Sequence, residues 1–263
     1  MDSASGDGVV DRDSSIVLLN LLQICDSSFP IGGFTHSGGL ESSWRRGAVP
    51  DLEALRLFLK TTILATCSQQ VPYMKTAHLT ASTAAEKALG SNTDTEESVG
   101  DLEAEVCKIL EVDNLLSVSM NNHVAKRAST QQGKSLLSLA LEMLPRRQRP
   151  LLSRLLDAKN RGVFEGNLAV VFGVLCASLH IGLGESLNAF TFSTLRNSVA
   201  AAVRLGRAGP VQAQILQREL LPFCCKMVSR YQDTECGDDH QSDPVLDVLQ
   251  GAQDRLFTKM FYS

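Results

Sequence analysis

Between Leu168 and Ile181 the chain reads Leu-Ala-Val-Val-Phe-Gly-Val-Leu-Cys-Ala-Ser-Leu-His-Ile, with no polar face at helical spacing. A helix that is apolar all round has to be enclosed by other elements. It is too short to span a bilayer, which takes about 20 residues. This run therefore predicts a central buried helix, ended by Gly182 and Gly184, in a domain of amphipathic helices.

The rest of the sequence supplies such helices. Ile16 to Ile24 is a compact apolar run that Ser14 or Ser15 can cap. Leu40 to Arg46 reads as a short helix ended by Gly47. Asp51 caps a helix with Leu52, Leu55, Leu59 and Ile63 on one face; Pro72 is expected to break it before a further helix to Leu89. Gly90 to Gly100 reads as an exposed polar loop. Asp101 opens a helix carrying Leu102, Val106, Ile109, Leu116 and Met120. Asn121-Asn122 punctuates before a helix that ends at Leu144, and Pro145 to Pro150 is a basic turn. Leu151–Asn160, Asn188–Leu205 and Val211–Ser229 follow, the last kinked or ended by Pro222. Asp243-Pro244 then starts a final helix. Its stripe runs Val245, Leu249, Ala252, Leu256 and Met260, widened by Phe257 and Phe261.

No stretch alternates like a strand, so the class is all-α. The expectation is a single compact helical domain of roughly nine or ten helices over residues 15–230. Residues 1–14 form a disordered leader, and 231–263 a polar linker with a C-terminal partner-docking helix.

A net charge of −4 and a pI near 5.8 argue against a general nucleic-acid binder. Met1 to Ser14 reads as too polar for a secretory signal, no run reads as long enough to span a membrane, and the seven cysteines show no regular framework. Reduced thiols and a cytoplasmic location follow as expectations.

The chemistry-bearing stretch is Asp26-Ser27-Ser28-Phe29-Pro30-Ile31-Gly32-Gly33-Phe34-Thr35-His36-Ser37-Gly38-Gly39-Leu40-Glu41. Its glycines and proline fix an unusual backbone, and Phe29, Ile31 and Phe34 are expected to anchor it. It has neither the Lys-Ser/Thr ending of a P-loop nor G-x-G-x-x-G spacing, and it follows a helix. A hydrolase would need Ser37 held by a base; adjacent His36 is poorly placed for that, and no G-x-S-x-G occurs. Cys236 and His240, with acids between them, are the weak metal candidates, short of the three or four ligands a stable site needs. Arg127 and Arg204 lie on otherwise apolar helices, each either an ordinary salt-bridged arginine or a polar anchor for the glycine loop. The C-terminal helix either docks into a partner's groove or packs on its own domain. The residues alone describe a binding or scaffold protein with no catalytic constellation.

Leu21 to Glu41 closely resembles the signature of the urease accessory protein UreF family. Three further pieces agree in order: Arg127-Ala128-Ser129 with Gln132-Gly133, Ala169-Val170-Val171-Phe172-Gly173, and Ala201-Ala202-Val203-Arg204-Leu205. The resemblance spans roughly Ile16 to Leu221 and is to a plant-type member. It implies an all-helical homodimer without enzyme activity and with no tightly bound cofactor. It would bind UreD (also called UreH) and recruit the nickel-carrying GTPase UreG, so that nickel enters apo-urease. The signature and partner-binding positions it marks are Phe29, Pro30, Gly32, Gly33, Phe34, His36, Ser37, Gly39, Glu41, Arg127, Ser129, Gly133 and Arg204. In the tail they are Leu249, Leu256, Phe257 and Met260. The alternative is a direct nickel carrier using Cys236, His240 and nearby acids. Two departures stand out. Gly166-Asn167 occupies the place where many members carry a histidine, and Gly206 to Gln214 replaces a Leu-Gly-Gln…Gly-Gln segment.

Overall fold

The computed structural model describes residues 8–90, 96–238 and 243–263. Among them are ten α-helices and no strand. They are α1 Gly8–Ile24, α2 Leu40–Arg45, α3 Leu52–Gly90, α4 Glu96–Ser119, α5 His123–Met143, α6 Pro150–Asn160, α7 Leu168–Ser178, α8 Leu183–Arg204, α9 Pro210–Tyr231 and α10 Pro244–Gly251.

Helix α7 is the expected buried centre. Every residue from Ala169 to Ala177 is buried, and α3, α4, α5 and α8 wall it in. The Arg-x-Ser…Gly segment of α5 sets how α7 begins. Ser129 Oγ accepts the Leu168 N–H at 3.0 Å. Gly133 lies so close to the turn before α7 that a Cβ there would stand 2.0 Å from the Gly166 carbonyl oxygen. The same turn wraps a buried carboxylate. Asp113 of α4 accepts the backbone N–H groups of Glu165, Gly166 and Asn167 and the side-chain amide of Asn167, at 2.8 to 3.0 Å. Burial pushes the Asp113 carboxyl up, against the pull of those donors. Gly166-Asn167, the pair that departs from the resemblance, thus serves as the latch that seats α7.

Several boundaries differ from expectation. Helix α1 begins at Gly8, ahead of the expected serine cap, and takes in the last residues of the stretch read as a leader; residues 1–7 lie outside the described part. Helix α4 starts at Glu96, so the second half of the expected Gly90–Gly100 loop is helical, while residues 91–95 lie outside the described part.

Pro72 does not break α3, and Pro222 does not end α9. A proline inside a helix costs about 3 kcal/mol. Val71, Tyr73, Met74 and Ala77 are at most 1% exposed on either side of Pro72, and burying each large apolar side chain contributes about 1.5–3 kcal/mol. Several such side chains outweigh one lost hydrogen bond. Leu220, Cys224, Met227 and Val228 hold α9 across Pro222 in the same way.

The final helix is shorter than its apolar stripe suggested. Helix α10 stops at Gly251, and Ala252–Arg255 tightens into a 3-10 turn. Leu256 is extended, so Leu256, Phe257 and Met260 lie beyond the helix.

Candidate functional site

The glycine loop and the last dozen residues form one site. After α1 the chain turns at Phe29, makes a 3-10 turn over Gly33–Thr35 and enters α2 at Leu40. The segment 252–263 crosses this loop as a strap. Tyr262 N–H donates to Thr35 O at 2.8 Å, and Ser37 N–H donates to Ser263 O at 2.6 Å.

Glu41 grips the strap. It is fully buried at the start of α2, and its carboxylate accepts three N–H groups: Gln253 Nε2 at 2.9 Å, Met260 N at 2.7 Å and Phe261 N at 2.9 Å. A buried carboxylate without such donors would carry a heavy desolvation penalty. Phe261 is buried as the strap's apolar anchor.

His36 is buried beneath the strap and shares a 2.5 Å hydrogen bond with Ser263 through Nδ1 and Oγ. Burial and the neighbouring Arg127 guanidinium hold its imidazole well below the usual value, at about 4, so the ring is neutral. Ser37 Oγ donates to Ser263 O at 3.1 Å. His36 and Ser37 thus both face Ser263, and no nucleophile–base pair is assembled between them.

Two arginines complete the clasp, in different ways. Arg127 of α5 pairs with Asp254 through two hydrogen bonds, at 3.0 and 2.8 Å, and stacks on Tyr262 at 5.1 Å. This pairing holds the Asp254 carboxyl well below the carboxylate range. Arg204 of α8 donates to Phe34 O and stacks on the buried Phe261 ring at 4.3 Å. Arg204 is thus the polar anchor of the glycine loop, and Arg127 anchors the strap.

Helix α10 is tied down from the same side. Ser42 donates to Leu249 O, and the Asn122 side-chain amide donates to Asp247 O at 3.2 Å and Gln250 Oε1 at 3.1 Å. Gly39 has φ of +89°, and a Cβ on it would lie 2.9 Å from Gln250 Cβ; a side chain there is both strained and obstructed.

Of the expected positions, Gly32, Gly33, His36, Ser37, Gly39, Glu41, Arg127 and Arg204 come together here. Ser129 and Gly133 hold the α7 turn instead. Phe29 and Pro30 lie at the turn after α1, Phe29 half-buried and Pro30 exposed. Phe34 does not anchor the loop: only its backbone is held, and its ring is 65% exposed. Leu249 of α10 and Leu256 of the strap are half-buried, while Met260 and Phe257 face outward, Phe257 at 103% exposure. The sequence reading missed Gln253, Asp254, Tyr262 and Ser263. Gln253 and Asp254 fall between the apolar positions of the C-terminal stripe and Tyr262 and Ser263 after it, with no sequence pattern that marks them.

A cavity of about 170 Å³ lies under the loop among α3, α5, α8 and α10. Thr66, Gln70, Gln132, Asn197 and His36 line it. The weak metal candidates are elsewhere. Cys236 is half-buried against α3, within 3.2 Å of Thr76 Oγ1 and 3.6 Å of Pro72 O, and His240 lies outside the described residues. Among the described residues no three histidine, cysteine or acidic side chains are grouped to hold a metal ion. No described helix is long and apolar enough to cross a membrane.

The geometry defines an all-helical protein whose glycine loop is closed over by its own C-terminal segment. The profile of the UreF family matches residues 49–221, and the chain belongs to that family. The matched part begins just after the glycine loop and α2 and ends before the strap; of the site it includes Arg127 and Arg204. Pairwise similarity extends further. The chain is 29% identical to urease accessory protein F of Arabidopsis thaliana, over 98% of this chain and 97% of that protein. It is 28% identical to urease accessory protein F of rice, over 91% of this chain and 82% of that protein. It is also 28% identical to urease accessory protein UreF of Paenarthrobacter aurescens, over 95% of this chain and all of that protein.

Proposed function

We propose that this protein is a urease accessory protein without catalysis of its own, acting in the cytoplasm as a homodimeric adaptor. It would join UreD (UreH) to the nickel-carrying GTPase UreG, so that nickel passes as cargo into apo-urease. Membership of the UreF family and the names of its relatives support the urease assignment. One observation carries the adaptor reading. Helix α10 and the strap together bury Leu246, Gln253, Phe261 and Ser263 and leave Val245, Val248, Phe257 and Met260 exposed. An apolar outer face on a rigidly clasped segment is what a protein partner covers. The carrier alternative rests on Cys236 and His240, and no observation favours it.

The test is co-expression with UreD and UreG, followed by mass measurement of the purified complex. The expected result is one assembly containing all three proteins. Val248→Asp/Phe257→Asp should remove UreD while leaving circular dichroism unchanged, because neither side chain is packed. Retention of UreD by that variant would overturn the docking face, and failure of the native chain to enter any complex would overturn the adaptor reading.

A further inference from the structure

Four arginines ring the outer edge of the loop–strap site. Arg45 and Arg46 leave the end of α2, and Arg204 and Arg207 leave the end of α8; all four are exposed. The guanidiniums of Arg45 and Arg207 both lie over the ring of Trp44, at 4.8 and 4.5 Å, and Arg204 stacks on Phe261. Phe34 is exposed beside Arg204, which holds its carbonyl.

Two like charges share one indole, and among the described residues none of the four arginines pairs with a carboxylate. Half-buried Arg56 pairs with Glu53 and Glu219 and exposed Arg154 with Glu103, whereas exposed Arg146 and Arg218 pair with no carboxylate among the described residues; what sets this cluster apart is the shared Trp44 ring. The cluster also sits on a chain whose net charge is −4. Stacking fixes the guanidinium planes of Arg45, Arg204 and Arg207; Arg204 gives one N–H to Phe34 O and Arg207 its Nε–H to Leu205 O, and the remaining N–H groups can take carboxylates. A tryptophan, stacked arginines and an exposed phenylalanine are the side-chain types that dominate protein interfaces.

We propose that the Trp44–Arg45–Arg207 cluster, with Arg204 and Phe34, is a docking surface for an acidic segment of a partner protein. Carboxylates would take the guanidinium edges, and an apolar residue of the segment would cover Phe34. The surface is distinct from the outer face of the strap and does not depend on which protein covers that face.

The probe is a labelled peptide alternating Glu and Asp around a central Leu, titrated into the intact protein by fluorescence anisotropy. The expected result is binding that weakens at least tenfold between 50 and 300 mM salt. Arg45→Glu/Arg207→Glu should weaken it a further tenfold or more. Arg45→Lys/Arg207→Lys, which keeps the charge and loses the planar fork, should fall between the two. The same Lys pair guards against misfolding, since it preserves the surface. No peptide binding, or equal binding by the Glu variant, overturns the proposal. So does tighter binding of a DNA duplex of matched charge, which would mark a general polyanion surface. None of these outcomes depends on UreD, UreG or urease.

Discussion

Glu41 and Phe261 stand 220 positions apart in the chain, yet the Glu41 carboxylate accepts the Phe261 N–H at 2.9 Å. With Gln253 and Met260 as its other donors, Glu41 makes the glycine loop and the strap a single unit.

Glu41→Ala should therefore cost far more than loss of a side chain. It strands buried N–H groups, each worth about 1–3 kcal/mol when left unsatisfied. We expect a loss of about 3 kcal/mol in urea unfolding, with protease cleavage appearing first in the strap. A melting temperature and cleavage pattern like the native chain would contradict the assigned role.

The Arg127–Asp254 pair should contribute less, although its geometry is bidentate. Both side chains are about one-third exposed, and water screens them. A double-mutant cycle on Arg127→Ala and Asp254→Ala should give a coupling of about 1 kcal/mol at most, reduced in high salt.

Acid should loosen the strap through His36. Its folded value of about 4 lies below the unfolded 6.5, so the unfolded chain binds the proton first. The stabilising effect of the neutral ring is fully present above pH 6.5 and is lost as pH falls toward 4. Between pH 6.5 and 5 the loss should reach about 2 kcal/mol. His36→Asn should flatten that slope in part, because burial also lowers His78. An unchanged slope in His36→Asn would remove His36 from this account.

Gly133→Ala and Gly100→Ala should move stability in opposite directions. Both are helical, and alanine favours a helix over glycine by about 1 kcal/mol. At Gly100 nothing lies within 4 Å of the added carbon, so stability should rise. At Gly133 the new carbon would press on the Gly166 carbonyl, so overpacking should cost about 1–3 kcal/mol and loosen the turn before α7. Urea unfolding of the two variants side by side checks both signs.

The helical class and the buried α7 could be read directly, because an unbroken apolar run admits few alternatives. The glycine loop could also be read as a feature, since its composition is strange for a linker. What it binds could not. Glu41 is satisfied by backbone N–H groups of the strap, and backbone donors leave no mark in a sequence. Pro72 misled for a related reason. The rule for proline is local, whereas the burial that overrides it comes from helices far away in the chain. At the C-terminal end, the stripe from Val245 to Met260 kept helical spacing past the point where Gly251 and the 3-10 turn ended the helix. Phe261 was read as part of that stripe and is in fact the strap's buried anchor, while Phe257 points to solvent.

The clasp at Glu41 also imposes an order on events during synthesis. The loop is made early, and its carboxylate has to wait for donors encoded 212 to 220 residues later. At about 5–20 residues per second, that delay is roughly ten to forty seconds. Through that interval Glu41 and His36 lack the partners that the strap supplies in the folded chain. The signature surface therefore becomes complete only after nearly all of the chain has been translated.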